Sequence, residues 1–97
     1  MVHGLYAVRD AAADAFLPVF QIATDSMAIR EFSQLAENPD HMFCKHRKDF
    51  SLYKVGSFDD LAGSVHRLEE PRFLFSADGV PGAMTGNIAP LIRERSN

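Results

Sequence analysis

The chain has 97 residues, enough for one folded domain and too few for two. Hydrophobic residues make up 46% and charged residues 24%, the usage of an ordinary globular protein, which excludes a wholly disordered chain. Thirteen acidic against ten basic side chains leave a net charge of −3, which excludes the uniformly basic condensing proteins and confines any contact with a polyanion to a local patch.

Residues 4–9 carry Tyr6 and Val8 in a β-favouring run and predict a first strand. The alanine-rich segment 10–15 is too short for an independent helix and reads as a wide turn or one helical turn. Residues 17–22 predict a second strand in a hairpin with the first, with Pro18 near its start, where a missing N–H is tolerated at a sheet edge. Thr24, Asp25 and Ser26 then offer N-cap oxygens, and Ala28, Phe32, Leu35 and Ala36 recur at helical spacing. They predict an amphipathic helix of about three turns that Asn38-Pro39 stops. Residues 40–48 read as a polar connection and 49–55 as a third strand. Asp59, Asp60 and Gly63 mark a hairpin turn and residues 64–68 its return strand. Glu69-Glu70-Pro71 reads as a break, followed by a short strand or arm over 72–75. Gly79, Pro81, Gly82, Gly86 and Pro90 predict an extended or flexible tail, in which Ile88, Leu91 and Ile92 are the available anchors.

The expected fold class is α+β: a small antiparallel sheet of about four strands, in the order β-β-α-β-β, covered on one face by one helix. Residues 1–75 form the domain and 76–97 the tail. A sheet left open on its second face needs a partner, either another copy of the chain or a ligand. A domain of this size buries only about 60–65% of its unfolded surface, which favours a homodimer.

Single Cys44 cannot form an internal disulfide, and the scattered histidines supply no zinc ligand set, so neither metal nor cofactor is expected and the chain reads as intracellular. No run of eighteen apolar residues occurs, so no helical membrane span is expected, and the first residues do not resemble a secretory signal. Asp59-Asp60 and Glu69-Glu70 read as turn or surface pairs, because neighbouring carboxylates seldom converge on one ion. Cys44 and His46 invite a nucleophile reading but lack an orienting third group and an oxyanion hole, and the glycines fit no phosphate loop. The expectation is a protein without catalytic activity.

The basic run is more informative. All three lysines, Lys45, Lys48 and Lys54, lie within ten residues together with Arg47, giving +3 over residues 41–54 and −6 elsewhere. Phe43, Phe50 and Tyr53 are interleaved with them. Cations that neutralise phosphates beside rings that stack on bases are the means by which single-strand binders work. The competing reading has the same rings filling the core while the lysines form a solvated rim. Arg93 and Arg95 either bind phosphate or keep the tail soluble.

Three segments together resemble a known family: Tyr6-Ala7-Val8-Arg9-Asp10, the stretch from Asp25 to Phe32, and the hairpin Asp49-Phe50-Ser51-Leu52-Tyr53-Lys54-Val55-Gly56-Ser57-Phe58-Asp59-Asp60-Leu61-Ala62-Gly63. The chain resembles, over residues 4–75, the small nonstructural protein of gokushoviruses, single-stranded DNA phages of the Microviridae. The resemblance implies a DNA-binding protein of the host cytoplasm that supports viral single-stranded DNA synthesis, and it supplies no catalytic residues. Its shared positions look architectural: Gly56 and Gly63 for backbone geometry, with Gly56 marking a bulge, Asp59 for the turn, and Phe32, Phe50 and Phe58 for packing. The leading expectation is a homodimer that binds single-stranded DNA, with Lys45, Arg47, Lys48 and Lys54 on phosphates and Tyr53 or Phe43 on bases. The alternative is a dimeric protein–protein adaptor that acts on phage replication or capsid proteins; a structural capsid or scaffold component ranks third.

Overall fold

The computed structural model describes residues 1–79. Strand β1 (Val2–Asp10) leads through a tight turn into β2 (Ala15–Phe16) and β3 (Phe20–Ile22), followed by helix α1 (Asp25–Glu37), a one-turn helix α2 (Met42–Lys45), and the long hairpin of β4 (Phe50–Asp59) and β5 (Ser64–Ser76). Short 3-10 turns at Arg47–Asp49 and Ala77–Gly79 precede β4 and follow β5. The sheet is antiparallel in the order β2-β1-β4-β5, with β3 also paired to β1. The α+β class is as expected, with five strands and one main helix.

Local chemistry accounts for each departure from the expected elements. The expected second strand is two short ones, because Pro18 has no N–H to give the ladder; Leu17 still donates to the Val8 carbonyl at 2.8 Å before the chain leaves the edge. The connection over 40–48 contains α2, which His41 caps by accepting the Phe43 amide on Nδ1 at 3.1 Å. Glu69-Glu70-Pro71 does not end a strand. Lys54 pairs with Arg72 and Gly56 with Arg67, so residues 68–71 stand opposite Val55 as a multi-residue bulge inside one continuous β5. Val55 is also the extra residue of β4 against β1, where Tyr6 faces Lys54 and Leu5 faces Gly56.

Helix α1 forms where expected. Thr24 Oγ1 accepts the Met27 amide at 3.2 Å, and Asn38 closes the last turn by donating to the Leu35 carbonyl. Ala28, Phe32 and Ala36 pack on Tyr6, Val8, Phe50 and Leu52 of the two central strands, while Leu35, assigned to the apolar stripe from sequence, is 39% exposed. Ala77 joins this core fully buried, two residues beyond the expected domain end at 75. The remaining tail residues, Ile88, Leu91 and Ile92 included, lie outside the described residues. No helix among the described residues is long and apolar enough to cross a membrane.

Gly56 does sit beside a bulge, and its reason is close approach: a Cβ there would lie 2.5 Å from the His66 carbonyl oxygen. Gly63 takes a positive φ of 69° at the hairpin tip with open space around it. Gly56→Ala is expected to destabilise by about 1–3 kcal/mol, because strand backbone has to move, and Gly63→Ala by about 1–2 kcal/mol from backbone strain alone. Urea denaturation of both variants checks the order.

Candidate functional site

The six residues singled out from sequence separate into five environments. Lys45 and Lys48 are exposed at the α2–β4 junction. Arg47, between them, is half-buried: its Nη2 contacts the Ala36 carbonyl at 3.5 Å and Cys44 Sγ at 3.2 Å, which ties the junction to the end of α1. Lys54 lies three or more residues along β4, on the helix side of the sheet, with Nζ 3.3 Å from Asp25. Tyr53 points to the opposite side.

Phe43 is a correction. It is 6% exposed and sits between Phe32 and Phe50, ring centroids 5.3 and 4.8 Å away, with His41 against it at 4.5 Å. Its ring is committed to the core, so it has no face to offer a base. A phenylalanine on the inner side of a one-turn helix is a core anchor, whatever charges flank it in sequence.

Asp25 gathers the end of the basic run. It accepts the Tyr6 hydroxyl at 2.6 Å on one oxygen, which also meets Lys54, and the Arg72 guanidinium at 2.8 Å on the other. The Tyr6 hydroxyl bond, with Lys54 and Arg72 behind it, holds the Asp25 carboxyl below its ordinary range against the opposing effect of burial. Burial, reinforced by the bond to Asp25, pushes the Tyr6 hydroxyl far above the ordinary tyrosine range, which favours the protonated form that donates to Asp25. Lys54 is therefore spent on an internal ion pair.

The face of the sheet away from α1 carries a feature that sequence reasoning missed. Register places Arg9 opposite Phe16, Ala7 opposite Tyr53, and Tyr53 opposite Phe73, a diagonal row that crosses four of the five strands. Tyr53 meets Phe16 edge-on at 5.5 Å and Phe73 edge-on at 5.7 Å, and the Arg9 guanidinium lies 5.7 Å from the centre of the Phe16 ring. Phe16 is 41% and Phe73 55% exposed. Ala7 lies on the same face and is buried, its methyl small enough to let the flanking rings close across β1. Alternation alone would put Phe73 on the core face with Phe75, whose partner is Leu52; a register shift between Leu52 and Tyr53 leaves Leu74 as an extra residue and turns Phe73 to the open face, which no local sequence signal announces.

Among the described residues no group of three or more histidine, cysteine or acidic side chains converges to hold a metal ion. The family model described as Phage ORF5 protein matches residues 3–80, and the chain belongs to that family. A search of the curated proteins and of the solved structures returns no match.

The Asp25 network fixes a pH dependence. A carboxyl held below its unfolded value contributes stability that is fully present above that value, near 3.8, and is lost as pH falls through the lower folded value. Between about pH 6 and about pH 2 the wild type should lose more stability than Asp25→Asn, which starts less stable and lacks this dependence. Chemical denaturation of both proteins across that range measures the difference.

Proposed function

We propose that this member of the Phage ORF5 protein family binds single-stranded DNA without catalysis, with bases stacked on the row Phe16, Tyr53 and Phe73. The observation that carries the reading is the exposure of Phe16 and Phe73 on either side of the half-buried Tyr53, which touches both, on an uncovered sheet face. Every base has a π-face, so a ring platform holds single strands with little regard to sequence, and a duplex, whose bases are stacked on one another, offers it nothing. Sheets with helices on one face and aromatic side chains on the other serve this purpose in single-strand recognition generally. Register places Arg67 on the same face, together with Arg9, which is paired with Asp14 beside Phe16.

The resemblance to gokushovirus nonstructural proteins supports the same role, in single-stranded DNA synthesis inside the host cell. A homodimer that buries the same rings against a second copy, or an adaptor that buries them against a phage replication or capsid protein, is the competing use of this face, since exposed apolar side chains in one patch also mark protein interfaces. Salt separates the two. Phosphate contacts release counterions and weaken steeply with salt, whereas apolar docking does not.

Fluorescence anisotropy of a labelled poly-dT oligonucleotide at about 50 and about 200 mM salt tests the proposal. Binding at the lower salt that weakens at the higher is expected. Tyr53→Ala and Phe73→Ala should each lower affinity by about 5- to 100-fold, the range for losing one stacked base, while Tyr53→Phe stays near wild type. Absence of binding at the lower salt, or full binding by Tyr53→Ala, overturns it.

A further inference from the structure

We infer that the depression at the α2–β4 junction is a binding site for a single phosphate group, separate from the open face of the sheet. Its lining is Cys44, Lys45, His46, Arg47, Lys48, Asp49 and, from the turn after β5, Asp78. Four successive residues whose side chains carry or can accept a positive charge line one concavity because α2 ends at Lys45 and the 3-10 turn at Arg47–Asp49 follows at once. In a longer helix or a strand the same four residues would point in different directions.

Arg47 is the fixed part of the site. The contacts of Nη2 with Ala36 and Cys44 hold the guanidinium in place, while its buried Nε has no hydrogen-bond partner among the described residues. Nε itself is shielded from solvent, so the anchored guanidinium serves the depression it lines through its positive charge and its remaining N–H groups. Lys45 and Lys48 are exposed and form no ion pair among the described residues, whereas Arg9 is paired with Asp14, and Lys54 and Arg72 with Asp25. An anchored guanidinium flanked by two mobile ammonium groups suits a tetrahedral oxyanion, which accepts from all three. Asp49 and Asp78 limit the charge: with His46 neutral the lining carries one net positive charge, enough for one phosphate and too little for a polyphosphate chain.

This inference does not rest on base stacking. The same chemistry is offered by free phosphate and by a phosphate of a nucleic-acid strand. Titration of the isotope-labelled full chain with sodium phosphate, against sodium chloride at equal ionic strength, reads the site through backbone amide shifts. Saturable shifts confined to residues 44–49 and Asp78, at a dissociation constant on the order of 1 mM, are expected. The Lys45→Glu/Lys48→Glu variant should weaken them at least about tenfold while the α1 and β1 resonances stay in place. Shifts that chloride reproduces, shifts spread over every basic side chain, or shifts that survive the double reversal overturn the site. A poly-dT oligonucleotide that moves the same resonances and is displaced by phosphate assigns the site to a strand; one that moves only the open face assigns it to free phosphate. Phosphate binding without any poly-dT binding leaves this site standing and removes the proposed DNA role.

Discussion

One helix has to bury the core face of a five-stranded sheet, and a single carboxylate decides where that helix sits. Asp25, in the first turn of α1, accepts from Tyr6 on β1 and meets Lys54 on β4 and Arg72 on β5. Three adjacent strands are thereby pinned to one end of one helix. The opposite end is held by packing of Ala36 in the core and by the contact of Arg47 with its carbonyl. Tyr6 joins the two kinds of force, since its ring is fully buried among apolar side chains while its hydroxyl reaches the carboxylate. A phenylalanine at that position would keep the packing and leave Asp25 with one fewer donor inside a partly desolvated site.

Because α1 is spent on the core face, nothing among the described residues covers the other. The alternation of the strands then determines what is displayed there. Ala7 and Tyr53 are paired, and their neighbours Val8 and Leu52 are paired in the core, so the outward row is a consequence of the same register that builds the interior. The bulge at Val55 resets that register beyond the row: Leu5 faces Gly56 and His3 faces Phe58, which keeps Phe58 on the side of Tyr53 although the two are an odd five positions apart. Gly56 is required at this point because the insertion in β5 brings the His66 carbonyl against its α-carbon.

What sequence could and could not reveal follows from which interactions are local. Helix α1 was legible from its Thr24 cap and its period, and the hairpin turn from Asp59 and Gly63, since both depend on residues close in the chain. Strand β5 was not legible as one element. Pairing on each side of residues 68–71 holds it together across a proline that, read locally, ends a strand. The basic run misled in a similar way. Lys54 follows Tyr53 directly, yet adjacent strand residues face opposite sides, so one belongs to the Asp25 network and the other to the open face. Phe16 and Phe73 were invisible as partners of Tyr53, because the row exists only once four strands lie side by side.

The edges of the sheet bear on which kind of contact the open face makes. Strand β5 is a thirteen-residue edge, and an edge of that length with exposed Val65 and Phe73 invites pairing with another chain through its backbone. The insertion at 68–71 interrupts it, Pro71 removes a donor and Glu69 and Glu70 add charge, all of them devices that oppose strand addition. The far edge is divided in two at Pro18. With both edges blunted, association falls to side chains rather than to the backbone, and the exposed rings Phe16 and Phe73, joined through the half-buried Tyr53, are those of the open face. The two glutamates also make the β5 edge unattractive to a polyanion, and at the other end of the row Arg9, against Phe16, is already paired with Asp14, so the character of the open face is set more by its rings than by free charge.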